Sequence, residues 1–179
     1  QIPHGALRLY VMGQRGADRE SATEDDIKKM AELSAEAIEN GAIGFTTSRT
    51  VFHKTSKGEL VPSFDAAGNE LIQIAKEIGK TGKGVLQLVS DFLGGYDEFK
   101  MLEKMVEESG CPISITLAQT DGTKYDYKDL LGWIEDAAKR GLPVRAQACG
   151  RPIGLMLGLN LTLNPVSYTH LRAHETFHD

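Results

Sequence analysis

The sequence predicts an α/β fold: part of a parallel (β/α)8 barrel of the TIM type, with about five strands and four helices. Four segments show the apolar spacing of amphipathic helices, and each is followed by glycine and then a short apolar run. The later units recur about every 30 residues, as β-α-β units do. Because helix-length connections join successive strands, the strands are expected to pair in parallel.

The first of these helices is predicted to begin after Thr23, which can cap it, with three acids in its first turn. Gly41 stands where a left-handed residue ends a helix. The other three helices are predicted around the apolar positions within residues 71–78, 99–106 and 130–138. The apolar runs that predict strands are residues 6–12, 42–47, 85–90, 112–119 and 142–148.

A doubly wound open sheet has the same order of elements, but no Gly-x-Gly-x-x-Gly or Walker-type loop follows any predicted strand. We therefore favour the barrel. A whole barrel needs about 250 residues, whereas this chain has 179. We expect residues 1–165 to be the central part of a barrel, incomplete at both ends.

Composition narrows the functional classes. Hydrophobic residues make up 41% and charged residues 25% of the chain, as in soluble globular proteins. The net charge of -5 and the lack of a basic cluster argue against a nucleic-acid partner. No apolar run approaches the roughly 20 residues that span a membrane. Cys111 and Cys149 fit neither a disulfide framework nor a zinc knuckle, so we expect a cytoplasmic protein.

The last residues contain the zinc-protease pattern H-E-x-x-H, formed by His174, Glu175 and His178. No third ligand follows it, and residues 166–179 lack an amphipathic pattern continuous with the preceding chain. The string from Ser167 to Thr176 resembles the translation of a sequencing adapter. We therefore interpret residues 166–179 as a non-native, disordered tail and exclude them from functional reasoning.

Residues 1–165 resemble the D-aminoacylase (N-acyl-D-amino-acid deacylase) branch of the amidohydrolase superfamily. The motifs that carry the resemblance are Pro3-His4-Gly5-Ala6-Leu7-Arg8, Val11-Met12-Gly13, residues 41–49 (GAIGFTTSR), Gln87-Leu88-Val89-Ser90-Asp91 and Gly150-Arg151-Pro152-Ile153-Gly154. The resemblance implies a barrel enzyme in which water bound to zinc or another divalent metal attacks an amide carbonyl. An aspartate would pass the proton to the leaving amine, giving a carboxylate and a D-amino acid.

By that resemblance, a His-x-His pair and a metal-binding cysteine would precede Gln1, and the catalytic aspartate would follow Pro165. Two more metal histidines would stand at the ends of the third and fourth predicted strands. This sequence has Val89-Ser90-Asp91 and Ala118-Gln119-Thr120 there instead. Asp91 is thus the only candidate metal ligand among these positions, and we expect residues 1–179 to hold no metal tightly and to be inactive alone.

Side chains at the carboxyl ends of the strands line the active site of a parallel barrel. This rule selects Gln14, Arg15, Ser48, Arg49, Gln87, Asp91, Gln119, Asp121, Gln147 and Arg151. From these and the following loop we predict a substrate-binding set of Arg49, His53, Gln87, Gln119 and Arg151.

Each of these residues also has a structural interpretation. Arg49 can hold a substrate carboxylate or form a salt bridge with a loop acid. His53 can contact substrate or merely be solvated, and Asp91 can cap a turn. Gln87 and Gln119 can orient substrate or bridge barrel layers. His4 is predicted to precede a strand and to serve stability.

We expect a small-molecule substrate that carries a carboxylate, and two functions remain open. The first is hydrolysis of N-acyl-D-amino acids or related amides. The alternative is a non-catalytic barrel that binds an acidic small molecule, since the two metal histidines are missing.

Overall fold

The structure, a computed structural model, describes residues 1–93, 96–118 and 126–150. Within these residues the chain forms five strands and six helices. In chain order they are β1 (Ile2–Pro3), α1 (His4–Met12), α2 (Gln14–Ala17), α3 (Glu24–Glu39), β2 (Gly44–Arg49), α4 (Gly68–Lys80), β3 (Val85–Ser90), α5 (Tyr96–Ser109), β4 (Ile113–Leu117), α6 (Tyr127–Lys139) and β5 (Val144–Ala148).

All five strands are parallel, and their order in the sheet is β1-β2-β3-β4-β5. The order follows the chain without a reversal. A doubly wound sheet reverses its strand order at the point where ligands bind, whereas a (β/α)8 barrel adds each strand beside the previous one. The fold is therefore that of a partial parallel barrel, as the sequence predicts.

The two faces of the sheet differ in polarity. Phe45, Leu86, Ile113 and Val144 are paired in register across β2 to β5, and each is at most 1% exposed. They pack in one core with apolar residues of the helices, among them Met30, Leu71, Ile74 and Leu102. Because successive side chains of a strand alternate between faces, their neighbours Thr46, Gln87, Ser114 and Arg145 lie on the opposite face, which we call the open face.

Local sequence signals set the ends of α3. The Thr23 side chain accepts a hydrogen bond from the Asp26 backbone, and the Asp26 carboxylate accepts one from the Thr23 backbone. This reciprocal pair confirms the predicted start. Gly41 follows the last turn with a φ of 103°, the left-handed conformation that glycine adopts without strain. Its predicted role at the helix end is confirmed.

The prediction of a strand at residues 6–12 is wrong. These residues belong to α1, and β1 consists of Ile2 and Pro3 alone. The buried residues of α1 are His4, Leu7, Arg8 and Met12, a spacing of three or four that matches one face of a helix. A short run of mostly apolar residues fits a strand and a buried helix equally well, so its composition did not distinguish them.

The other four strands overlap the predicted runs: residues 85–90 match β3 in full, β4 and β5 lie within their runs, and β2 begins and ends two residues later than predicted. None of the helices in the described ranges has the length and apolarity that crossing a membrane requires. The predicted site residues Gln119, Asp121 and Arg151 lie outside the described residues, as does the tail of residues 166–179.

Candidate active site

His4 follows β1 directly, at the carboxyl end of that strand, because the strand ends at Pro3. The prediction that it precedes a strand is therefore wrong. Its side chain is 1% exposed and its ring lies 5.3 Å from that of Phe45. The same shift in the first element removes Gln14 and Arg15 from any strand end, since both belong to α2. Arg15 there forms surface ion pairs with acids near the start of α3.

A buried polar cluster surrounds His4. Its Nε2 lies 2.6 Å from Glu70 Oε1 and its Nδ1 lies 2.9 Å from Thr47 Oγ1. Arg8 donates to the other oxygen of Glu70 at 2.5 Å and to the backbone oxygen of Glu20. Because a carboxylate only accepts hydrogen bonds, Nε2 carries the proton and Nδ1 accepts from the Thr47 hydroxyl. The cluster joins α1, β2 and α4 around one ionised carboxylate.

The protonation states in this cluster follow from burial and from the neighbouring charges. Burial lowers the pKa of His4 below its ordinary value of 6.5, and the raising effect of Glu70 does not offset it. Burial raises the pKa of Glu70, but the hydrogen bonds and charges of His4 and Arg8 outweigh that effect and hold the pKa below its ordinary 4.5. At neutral pH the cluster is therefore a neutral imidazole between an arginine–glutamate ion pair and a threonine.

This cluster predicts a loss of stability in acid. As the pH falls past 6.5, unfolded His4 takes up a proton that folded His4 still excludes, so the free energy of unfolding falls. Glu70 adds a similar loss once the pH falls below 4.5. One such proton contributes at most about 1.4 kcal/mol per pH unit. Urea unfolding of the wild type and His4→Gln at pH 5 to 8 measures the His4 part.

We expect His4→Gln to remove part of the slope below pH 6.5. Equal slopes in the wild type and His4→Gln would contradict the assignment of a neutral His4.

Arg49 lies on the helix side of the sheet, because it alternates with Ser48 along β2 and shares the face of Phe45. Its Nε donates to Glu98 Oε1 at 2.7 Å and its Nη1 donates to the backbone oxygen of Ala66 at 2.6 Å. Ser90 donates to the same Glu98 oxygen at 2.6 Å. Arg49 thus forms a salt bridge, as its structural interpretation expects, but the acid, Glu98, belongs to helix α5 rather than to a loop. Binding of substrate by Arg49 stays a prediction.

The acids that hold these clusters share one position in the repeating unit. The third residue of each of the four helices α3 to α6 is acidic: Asp26, Glu70, Glu98 and Asp129. The two aspartates close capping boxes on their own helices. Glu70 and Glu98 have one more methylene, and their carboxylates contact α1 or the strand ends instead. The start of a helix also favours negative charge through the helix dipole.

His53 and Asp91 lie where the strands β2 and β3 end. The Ser48 hydroxyl and the His53 Nδ1 are 2.7 Å apart. Asp91 accepts a hydrogen bond from the Val51 backbone at 2.8 Å, and its own backbone donates to the oxygen of Arg49. Asp91 therefore fixes the turn that presents His53. It caps a turn after β2 rather than the turn before the next helix.

The amide of Gln87 reaches across the open face. Gln87 Nε2 donates to Gln147 Oε1 at 3.4 Å, a long hydrogen bond between β3 and β5. The structure thus brings together Ser48 with His53, and Gln87 with Gln147. It separates Arg49 from all four, because Arg49 lies on the other side of the sheet.

The described residues do not fit a catalytic metal centre. Among them there is no group of three or more histidine, cysteine, aspartate or glutamate side chains placed to share an ion. Asp91 is the candidate ligand, but its carboxylate accepts a hydrogen bond from the Val51 backbone. The last residue of β3 is Ser90, which is not one of these side-chain types. A catalytic divalent ion in a protein generally needs about three such ligands, so we assign no reaction step to a metal held by these residues.

Sequence reasoning missed Glu70 and Glu98, which organise the buried clusters. A signal for them was present, since an acid recurs at the third position of each helix from α3 to α6. It also missed Arg145, which is exposed on the open face. Arg145 is the second residue of β5. A rule that selects only residues at strand ends therefore does not include it.

Comparison with known proteins supports the architecture. The chain is similar in structure to a D-aminoacylase variant in complex with copper chloride, with a TM-score of 0.57 and 24% identity over 81% of this chain and 28% of that one. It is also similar to the N-acyl-D-glutamate deacylase of Bordetella bronchiseptica, complexed with zinc and a phosphonate inhibitor. Here the TM-score is 0.60 and the identity 18%, over 80% of this chain and 28% of that one.

The chain thus spans 28% of the length of both solved proteins, and at these identities the likeness establishes the fold. No curated protein matches it. The model of the amidohydrolase family matches residues 1–179. The chain therefore belongs to the amidohydrolase family.

Proposed function

We propose that these residues are part of a metal-dependent amidohydrolase that cleaves the C–N bond of N-acyl-D-amino acids or related amides. The observation that carries the proposal is the family match over residues 1–179. A parallel sheet with the strand order of a barrel supports it, as does structural similarity to two deacylases. The free thiols of Cys111 and Cys149 agree with a reducing, cytoplasmic setting.

On this proposal, zinc or another divalent metal is bound by side chains outside the described residues, since those inside do not form a centre. The described residues contribute the wall of the site. His53 and Ser48 stand at the mouth of the barrel, and the buried acids Glu70 and Glu98 hold the adjoining segments in place. The substrate carries a carboxylate that this wall recognises.

A second candidate is a barrel that binds an acidic small molecule without hydrolysing it. One observation favours it: the end of β3, where the family resemblance places a metal histidine, carries Ser90 and Asp91. Both are occupied by hydrogen bonds within the protein.

The experiment expresses the complete reading frame to which these residues belong. We expect bound divalent metal by elemental analysis and release of a D-amino acid from N-acetyl-D-amino acids, with the L-enantiomers and the metal-depleted protein as controls. Residues 1–179 alone should show no turnover with added zinc. A full-length protein that retains no metal and gains no activity from added metal would exclude hydrolysis and leave the binding function.

A further inference from the structure

One layer of the open face is polar, whereas the interior layers of a barrel are usually apolar. Thr46, Gln87, Ser114 and Arg145 are paired in register across β2 to β5 and form one layer. In (β/α)8 barrels such layers are dominated by branched apolar side chains. Polar groups inside a protein need hydrogen-bond partners. This layer therefore fits a wall that contacts water or a polar ligand.

Arg145 is the cation of this layer. Its Nη1 donates to the backbone oxygen of Val144 at 2.9 Å. It forms no ion pair with an acid in residues 1–93, 96–118 or 126–150. Arg8 and Arg49, by contrast, are each paired with a buried glutamate on the helix side. Arg145 thus has no acidic partner within the part of the chain that the structure describes.

Two amides on the same face supply further polar groups. Gln147 follows Arg145 by two residues, so both side chains lie on one face of β5. Gln87 is joined to Gln147 through its own Nε2 and the Oε1 of Gln147, which leaves the Gln147 NH2 group as a donor toward a ligand. A guanidinium with a neighbouring amide donor matches the planar, bidentate geometry of a carboxylate.

We propose that Arg145, with Gln147 and Gln87, binds the carboxylate of the substrate on the open face. This inference rests on the proposed function for the identity of the ligand, an N-acyl amino acid. It assigns to Arg145 the role that the sequence suggested for Arg49, whose guanidinium is bound to Glu98 and to the Ala66 oxygen on the other side of the sheet.

The test compares two ligands of the full-length protein that differ only in this group: N-acetyl-D-leucine and its primary amide. Calorimetry measures the binding of each to the wild type, Arg145→Gln, Arg145→Lys and Arg140→Gln. Arg140 is the matched control, since it lies just after α6 and pairs with Glu103 away from the open face.

We expect Arg145→Gln to weaken binding of the acid about 10- to 100-fold, the range for a hydrogen bond to a charged group. Binding of the amide should change less than about twofold. Arg145→Lys should lie between, because lysine keeps the charge but loses the planar donor pair. Arg140→Gln should match the wild type for both ligands.

Equal weakening of both ligands, or no weakening of either, overturns the inference. So does a fall in the melting temperature of Arg145→Gln with an unchanged preference for the acid, since Arg145 would then pair with an acid of the protein itself. Binding that depends on Arg145 without any turnover removes the proposed hydrolysis and keeps this inference. If the wild type hydrolyses the substrate and Arg145→Gln keeps the same preference for the acid, the proposed hydrolysis stands and the inference about Arg145 is overturned.

Discussion

Replacing Glu70 with alanine is expected to lower the free energy of unfolding by about 3–5 kcal/mol, the typical effect of breaking a buried ion pair from one side. The substitution leaves the Arg8 guanidinium, at 1% exposure, with only the backbone oxygen of Glu20 as a described partner. It also removes the acceptor of the His4 Nε2 proton. Urea unfolding followed by circular dichroism gives the value.

Glu77→Ala is the matched control, because it makes the same change in the same helix at a partly exposed residue that pairs with Lys80 on the surface. Its effect should be under about 1 kcal/mol, as is usual for surface ion pairs. Glu70→Gln keeps the size of the side chain and should fall between the two. A Glu70→Ala variant no less stable than Glu77→Ala would show that Glu70 does not hold the N-terminal helices to α4.

The second large effect is expected at the ion pair between Arg49 and Glu98. Arg49→Met alone leaves the Glu98 carboxylate, whose side chain is 4% exposed, with Ser90 as its described partner, and should cost about 3–5 kcal/mol. The double variant Arg49→Met with Glu98→Leu replaces both charges by apolar groups of similar size. It should recover most of that loss, because such replacements are often neutral.

This double-variant cycle also tests the predicted binding role of Arg49. If Arg49 acts only through Glu98, the double variant of the full-length protein should regain the binding of N-acetyl-D-leucine together with its stability. Recovery of stability without recovery of acid binding would instead show that the Arg49 guanidinium contacts the substrate, and would count against Arg145 as the main partner.

The repeating elements could be predicted because their signals are local. The Thr23 cap, the apolar stripe of α4 and the run at residues 85–90 each depend on residues within a few positions, and the structure has them in place. Residues 6–12 could not be predicted in this way. The secondary structure of this segment depends on which of its side chains the rest of the protein buries. The buried face of α1, formed by His4, Leu7, Arg8 and Met12, exists because the helix packs against β2 and the neighbouring helices.

The candidate site shows the same division. The rule of strand ends selected Ser48 and Asp91, and His53 was chosen from the loop that follows Ser48. These choices required only the order of the strands. The direction of each side chain required the tertiary structure, because a shift of one residue along a strand moves it to the other face. Arg49 is thereby placed toward Glu98. Arg145, which does not stand at a strand end, is placed on the open face.

By itself, then, the sequence determined the class of fold, the parallel pairing and the family, because apolar period, glycine placement and motif order are properties of the chain alone. Only the tertiary structure decided which charges are neutralised. Glu70 is 66 residues from His4 in the sequence and Glu98 is 49 from Arg49, yet each pair is in hydrogen-bond contact. The physical reason is that a buried charge is stable only with a partner, and which residues become partners depends on how the helices pack against the sheet.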